Sequence, residues 1–221
     1  MQYIVKIKEI LPVTHDVKCF RIEKPSGFIF IPGQATDLSI NRPGMEEDTR
    51  PFTFTALTGK TYLEFTIKRY PERHGVTDML HRLLPGDELI IRDPWGAIAY
   101  KGPGYFIAGG AGITPFISIF RNLYEEHEIT GNRLIFSNKT AGDIIYEKEL
   151  LMMLGTNAKF ILTRDKKNGY ESGRIDEQYI RKYVPDFNSH FYVCGPGPMV
   201  NEIVDLLGKL GASVDSVVFE K

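Results

Sequence analysis

The chain has 221 residues, 43% of them hydrophobic, and a formal net charge of -1 from 27 basic and 28 acidic side chains. It is long enough for one or two domains, and its charge provides no field that would favour nucleic acid or an anionic membrane as a partner. The two cysteines, Cys19 and Cys194, lie far apart without metal-ligand spacing, so neither a disulfide framework nor an iron–sulfur cluster or other metal site is predicted, and a reducing, cytoplasmic location is favoured.

The first half of the chain is a series of short strand-like runs separated by turn-forming residues. Alternating charged and apolar residues at its start favour a first strand over a secretion signal. One helix is predicted from Thr77 to about Leu84, where apolar side chains recur at helical spacing. The series of short strands separated by turns is typical of a small antiparallel β-barrel. Strands are predicted over residues 3–10, 17–23, 35–40, 52–57, 62–67 and 88–92.

After Gly102 the pattern changes to alternating strands and helices, which predicts a parallel sheet covered by helices on both faces. Residues 101–104 read as a linker, so domains are predicted over 1–101 and 102–221. Residues 102–120 are uncharged over 19 positions, but their glycines and prolines favour a buried strand and a loop over a membrane span. The predicted strands are 105–108, 134–137, 160–163, 191–194 and 217–219, and the predicted helices are 115–126, 146–154, 176–183 and 198–210.

Three short segments carry the candidate chemistry. The first is Arg50-Pro51-Phe52-Thr53, inside strand-rich sequence. The second, from Gly109 to Pro115, follows a strand and opens a helix, where glycines let the backbone approach a pyrophosphate and the helix N-terminus faces the anion. The third reads Cys-Gly-Pro-Gly-Pro-Met from Cys194 to Met199, after another strand. In this order, the segments resemble the ferredoxin–NADP reductase family of flavin and nicotinamide oxidoreductases.

The resemblance implies a Greek-key β-barrel that binds flavin and an α/β domain that binds NAD(P)H. It places the first segment on a barrel strand that holds the flavin. Phe52 then offers an apolar face to the ring, Thr53 a hydrogen-bond donor to N5, and Arg50, next to Pro51, a bidentate cation for phosphate. The alternative is an ordinary strand in which Phe52 and Phe54 face the same side.

A second flavin element is implied at His74-Gly75-Val76-Thr77, which resembles the family's phosphate loop before a helix. Gly75, Val76 and Thr77 would receive the flavin phosphates, although Thr77 is equally a common helix-capping residue. Lys68 could help neutralise phosphate, but a position at an exposed strand end explains it as well.

The nicotinamide side is assigned to the other two segments. Gly110, Gly112 and Thr114 would hold the pyrophosphate. By resemblance, Cys194 lies beside the reacting nicotinamide carbon and Gly195 admits the ring, while a buried core cysteine is the alternative. Pro196 and Met199 complete this nucleotide-binding segment.

The adenosine ribose is expected to contact the residues after the second strand of the α/β half. Ser137, Asn138 and Lys139 lie there, and Tyr146 could stack on adenine. NADPH-selective relatives usually place Arg beside that Ser, whereas Asn138 suits ribose hydroxyls, so a modest preference for NADH is predicted. Lys139 complicates this prediction because its ammonium could attract a phosphate.

The catalytic residues implied by the resemblance are Thr53, Cys194 and Glu220, the last being a carboxylate near the end of the chain that could equally be a solvated terminal residue. The implied reaction is hydride transfer from NAD(P)H to bound FAD, with FMN possible, and electron delivery to a separate acceptor such as ferredoxin, flavodoxin or another small redox protein. The alternatives are a reductase that uses free flavin as its substrate and a non-catalytic nucleotide-binding redox subunit.

Overall fold

The computed structural model describes residues 1–96, 98–213 and 217–219, with only the backbone described for the last three. The chain divides into two compact units, Met1–Gly96 and Ala97–Lys221. The predicted domains, 1–101 for flavin and 102–221 for nucleotide, stay a prediction, because a division by contacts does not say what each unit binds.

The first unit is a six-stranded antiparallel sheet in the order β4-β3-β6-β1-β2-β5. Its end strands meet through a bridge between Phe54 and Phe65, so the sheet closes into a near-barrel, as predicted. The Thr55 amide also donates to the Glu64 carbonyl at 2.8 Å. This contact joins the two end strands over a short stretch, while the Arg50 end of β4 stays at an edge of the sheet. The strands are β1 (Gln2–Pro12), β2 (Val17–Glu23), β3 (Ala35–Ile40), β4 (Arg50–Thr53), β5 (Tyr62–Lys68) and β6 (Glu88–Arg92).

An aromatic cluster fills the barrel. Phe54 and Phe65 are fully buried, and the Phe54 ring lies 4.4 Å from that of Phe30, measured between centroids. These side chains alternate with polar neighbours along their strands, which is the pattern of a sheet with one face turned to the core.

Two elements of this unit differ most from the sequence-based expectation. Strand β4 begins at Arg50 instead of residue 52 and ends at Thr53, because Phe54 forms only the single bridge to Phe65. Helix α1 (Val76–Leu80) stops four residues before the predicted end, because the amides of Arg82 and Leu83 turn to carbonyls only three residues back. Its apolar spacing still places Leu83 in the core, whereas Leu84 is 69% exposed.

The second unit is a parallel sheet in the order β10-β9-β8-β7-β11-β12. It has the predicted α/β architecture. Among the described residues, no helix is both long and apolar enough to cross a bilayer. The strands are β7 (Gly104–Gly109), β8 (Arg133–Asn138), β9 (Ala158–Leu162), β10 (Glu171–Ser172), β11 (His190–Cys194) and β12 (Val217–Phe219); the helices are α2 (Thr114–Glu125), α3 (Glu147–Leu154), α4 (Glu177–Tyr183) and α5 (Gly197–Lys209).

Strand β7 is buried along its whole length, as expected for a central parallel strand covered on both faces. Phe106 packs against the α2 rings of Phe116 and Phe120, with centroid separations of 5.0 and 4.6 Å. Ile107, on the opposite face, belongs to a core cluster with side chains of α4 and α5. The short strand β10, which pairs with β9, was not predicted.

Candidate functional site

The first candidate segment lies on β4, paired with β3. Arg50 is opposite Leu38 and Thr53 is opposite Ala35. The Arg50 side chain is about half exposed at 52%, and its Nη1 donates to Asp48 Oδ1 at 2.9 Å and to the Thr49 carbonyl at 2.6 Å. Its Nε and Nη2 have no partner among the described residues, so part of the guanidinium can still bind an anion.

Phe52 and Thr53 differ in how far the barrel covers them. Phe52 is partly buried at the margin of the barrel core, whereas Phe54 lies wholly inside it. Phe54 is therefore the core residue of this strand, and Phe52 keeps part of its ring accessible. Thr53 is 8% exposed, and its hydroxyl makes no hydrogen bond within the part of the chain that the structure describes. The Thr53 oxygen is not fully enclosed by the protein, so its hydroxyl can donate to a ligand acceptor.

The predicted phosphate loop lies at the start of the one-turn helix α1. Gly75 is its N-cap, so Thr77 is not the capping residue. Asp78, 2% exposed, accepts hydrogen bonds from Arg69 Nε and Arg82 Nη2, both at 2.6 Å. The Arg69 hydrogen bond lowers the pKa of Asp78 and outweighs the raising effect of burial. These contacts tie the loop to the residue that follows β5.

Lys68 is already engaged within the barrel unit. Its Nζ lies 2.5 Å from Asp16 Oδ2, and the lysine side chain is 13% exposed. Burial alone would raise the pKa of Asp16, but the hydrogen bond and charge of Lys68 lower it overall. A role for Lys68 in phosphate binding stays a prediction.

The two glycine-containing segments of the second unit pack directly on each other. They follow β7 and β11, which are neighbouring strands, so both lie at the carboxyl edge of the sheet. A Cβ on Gly112 would lie only 2.5 Å from the Gly195 amide nitrogen and from the Cys194 carbonyl carbon. A Cβ on Gly195 would lie 3.1 Å from the Gly109 nitrogen. The glycines therefore permit backbone-to-backbone contact between the loops.

The entry to α2 shows how the second segment is built. Residues Gly110–Ile113 form a 3-10 turn, and Gly110 has φ +53 with open space beside its Cα. Thr114 begins the helix, and its hydroxyl donates to the Ala111 carbonyl at 3.0 Å instead of capping the helix. Gly110 is thus the part of this loop that a ligand can approach most closely.

In the third segment, Cys194 is the last residue of β11 and its side chain is 5% exposed. Pro196 is the N-cap of α5. Met199, in the first turn, covers Gly109: a Cβ there would collide with its sulfur and lie 3.2 Å from its terminal methyl carbon. Met199 therefore packs on Gly109, the last residue of β7. Glu220 lies outside the described residues.

The candidate ribose segment ends β8. Ser137 is opposite Gly109 in the β7–β8 register. Asn138 is 4% exposed, and neither its amide oxygen nor its amide nitrogen has a hydrogen-bond partner within the described residues. An unpaired buried amide is costly, so a ligand that reaches it gains binding energy. Lys139 is exposed.

Arg164 is a candidate that the sequence analysis missed. Its amide donates to the Lys139 carbonyl at 2.9 Å, so these two basic residues meet at the ends of β9 and β8. The sequence did contain a signal for this proximity. Arg164 follows the third strand of the α/β half as Lys139 follows the second, and consecutive parallel strands are commonly neighbours, so the two residues could have been placed together.

Two cavities lie away from the candidate residues. The larger, about 420 Å³, opens in the barrel unit, and the smaller, about 100 Å³, lies at the amino-terminal end of the parallel strands, opposite the glycine loops. Neither contains a predicted site residue, so cavity size alone does not locate the chemistry. The lining residues include Tyr3, Ile4, Lys8 and Lys24 in the larger and Tyr105, Arg133, Lys159 and Tyr183 in the smaller.

Comparison with known proteins matches both halves of the chain. The oxidoreductase FAD-binding domain matches residues 4–100, and the oxidoreductase NAD-binding domain matches residues 106–205. The chain is 28% identical to the reductase component of propane 2-monooxygenase from Rhodococcus jostii (strain RHA1), over 98% of this chain and 62% of that protein. It is 30% identical to NADH-cytochrome b5 reductase 2 of Mycosarcoma maydis, over 96% of this chain and 70% of the relative.

A solved ferredoxin NADP+ reductase from Neisseria gonorrhoeae, with bound FAD and NADP, has the same fold. The TM-score is 0.84 at 18% identity, over 99% of this chain and 98% of that one. Fold and sequence together define a two-module oxidoreductase that uses FAD and a nicotinamide nucleotide. The chain belongs to the ferredoxin–NADP reductase-like family, which confirms the family and the cofactors predicted from its motifs.

Proposed function

We propose that the protein passes electrons from NAD(P)H through bound FAD to a separate acceptor, such as ferredoxin, flavodoxin or another redox protein. The observation that carries the proposal is the direct packing of the Gly112 loop on the Cys194–Gly195 backbone, at the carboxyl edge of a parallel sheet. This edge is where nucleotides bind in such sheets. One relative is the reductase component of a monooxygenase, which supports a partner protein as the acceptor.

The barrel unit would hold FAD through β4 and the turn before α1. When bound, FAD supplies a hydride acceptor that can return electrons to a second molecule. Arg50 would bind phosphate through its unused guanidinium nitrogens, and the accessible part of the Phe52 ring would contact the isoalloxazine. The unpartnered Thr53 hydroxyl would donate to a ring nitrogen. Gly75, Val76 and Thr77 would receive phosphate, with their turn held by Asp78.

The α/β unit would hold the nicotinamide nucleotide at its two glycine loops. Gly110 leaves room for a pyrophosphate, and α2 directs its positive N-terminal end to the same place. Cys194 would exclude water beside the nicotinamide, since its side chain is buried and belongs to the sheet. The chain's contribution to hydride transfer is then the positioning of its cofactors.

NADH is the proposed preferred donor. Asn138 offers a buried, unpaired amide that can both donate to and accept from ribose hydroxyls, whereas a 2′-phosphate would satisfy only its nitrogen. Lys139 and Arg164 are basic residues whose backbones meet beside Asn138, so the proposed preference is modest. Measurement of kcat/KM for both nucleotides tests this preference: a tenfold advantage for NADPH would show that the two cations determine specificity instead.

The function is tested first by the visible spectrum of the purified protein and by identification of the released flavin. The proposal expects one FAD per chain, bleached anaerobically by NADH and reoxidised by an added ferredoxin, flavodoxin or artificial acceptor. Protein that is isolated colourless, yet oxidises NADH only with added flavin, would favour a free-flavin reductase. Protein that binds nucleotide without turnover with any acceptor would favour a non-catalytic redox subunit.

A cytoplasmic location is proposed from the two cysteines of the chain, both buried thiols.

A further inference from the structure

Tyr146 has a backbone conformation that non-glycine residues rarely adopt. It immediately precedes α3, with φ +54 and ψ +34 in the left-handed region. Such a conformation persists only where the surrounding structure enforces it, and it is found preferentially at functional sites. The Tyr146 side chain is half-buried.

Arg121 of α2 contacts the ring of this tyrosine. Its guanidinium carbon lies 5.1 Å from the ring centroid, within the range of a cation–π interaction. The guanidinium is itself fixed by Glu149 of α3, with Nε–Oε1 and Nη2–Oε2 distances of 2.6 and 2.9 Å. The Arg121 and Glu149 side chains are only 18% and 27% exposed, so water screens this pair weakly.

These contacts connect the two ends of the nucleotide-binding edge. Helix α2 starts at the Gly110–Ile113 turn, and Tyr146 follows the candidate ribose segment. A bidentate arginine has a planar and rigid head group, so it can fix the plane of a ring that lies against it. An aromatic ring held in a fixed plane is a suitable surface on which a base can stack.

We infer that Arg121 is a positioning residue for the adenine of the dinucleotide: held by Glu149, it orients Tyr146, and Tyr146 contacts the base. The inference rests on the proposed function, because it requires that NAD(P)H bind with its adenosine at the end of β8. Arg121 contributes through Tyr146 and does not touch the reacting atoms.

The experiment compares ligands with and without adenosine. Arg121→Met removes the charge and keeps much of the side-chain volume, and Arg121→Lys keeps the charge without the bidentate geometry. For Arg121→Met, the dissociation constant of AMP by calorimetry and the KM for NADH should rise about three- to tenfold, in line with the loss of a stacking or cation–π contact. The kcat, and the KM for reduced nicotinamide mononucleotide, which lacks adenosine, should not change. Arg121→Lys should give an intermediate AMP affinity.

The control is Arg181→Met, which breaks an exposed, single-contact arginine–carboxylate pair with Glu177, at 2.8 Å on α4, and should change none of these constants. Tyr146→Ala should weaken AMP binding as much as Arg121→Met or more, and the double variant should lose no more than Tyr146→Ala alone, because Arg121 acts only through the ring. If Arg121→Met does not fold, Arg121→Lys and Glu149→Gln, which loosens the guanidinium, provide the same comparison.

Additive losses in the double variant would overturn the inference, as would equal shifts for NADH and reduced nicotinamide mononucleotide, or an unchanged AMP affinity. Suppose that the wild-type protein binds AMP and oxidises NADH, and that Arg121→Met does both equally well. That result refutes only the positioning role of Arg121. A wild-type protein that does neither refutes the proposed function itself.

Discussion

Substitution of Gly112 by Ala tests the contact between the two nucleotide loops. The added Cβ would lie 2.5 Å from both the Cys194 carbonyl carbon and the Gly195 nitrogen, roughly 1 Å closer than ordinary van der Waals contact. Both neighbours are backbone atoms of a loop anchored between β11 and α5, so the clash cannot be relieved by a side-chain rotation. The loops must separate, or Gly112 must move toward the nucleotide.

Overpacking of this kind costs about 1–3 kcal/mol, which at roughly 4 °C per kcal/mol corresponds to a decrease in Tm of about 4–12 °C. Because the same displacement disturbs the pyrophosphate loop, the KM for NADH should rise while flavin content is retained. Thermal unfolding monitored by circular dichroism and steady-state kinetics measure the two effects.

Gly208→Ala is the matched control. Gly208 lies within α5 and has no atom within 4 Å of a built Cβ, so alanine there should stabilise the protein by up to about 1 kcal/mol through helix propensity. A Gly112→Ala protein with wild-type Tm and wild-type KM for NADH would refute the loop contact as described.

Three further outcomes are expected. Arg50→Ala and Phe52→Ala should each weaken FAD binding by about 1–3 kcal/mol, but riboflavin, which lacks phosphate, should be sensitive only to Phe52→Ala; equal losses for riboflavin would exclude phosphate binding by Arg50. Cys194→Ser should retain hydride transfer in stopped-flow flavin reduction, because the buried side chain packs and does not react; complete loss with both cofactors still bound would require a chemical role for the thiol. His81 donates from Nε2 to the Ile67 carbonyl at 2.8 Å, and burial lowers its pKa below the ordinary value of 6.5. Unfolded chains therefore bind a proton that the folded state does not, so the free energy of unfolding should fall as pH decreases below about 6.5. His81→Gln should make this fall with pH less steep in urea titrations. An identical pH dependence for the two proteins would contradict the assignment.

Strand and helix periodicity predicted most of the fold because side-chain alternation follows directly from which face is buried. The errors occurred where tertiary contacts decided the boundary. The strand was predicted to begin at residue 52, yet Arg50 and Pro51 also pair with β3, and proline is tolerated in a strand at this edge position. Helix α1 ended early because the Arg82 and Leu83 amides bond to nearer carbonyls, which its apolar spacing could not show.

The candidate site was less accessible to sequence reasoning than the fold. The motifs located the glycine loops. The contact between Gly112 and Cys194, however, depends on β7 and β11 being neighbours, and no single motif predicts the order of strands in a sheet. The proximity of Arg164 to Lys139 likewise depends on the pairing of β8 with β9. The partners of Lys68 and Arg121 are also products of packing.

The pairing of β7 with β11 has a consequence for biosynthesis. Strand β7 is buried along its length and leaves the ribosome long before β11, which supplies one of its two neighbours. Until β11 arrives, one edge of an apolar central strand remains unpaired and can add a strand from another chain. The barrel unit is complete in sequence before β7 is made, so it can fold first, and the vulnerable interval belongs to the second unit alone. Slower translation of the segment between β7 and β11 lengthens this interval and should therefore lower the soluble yield.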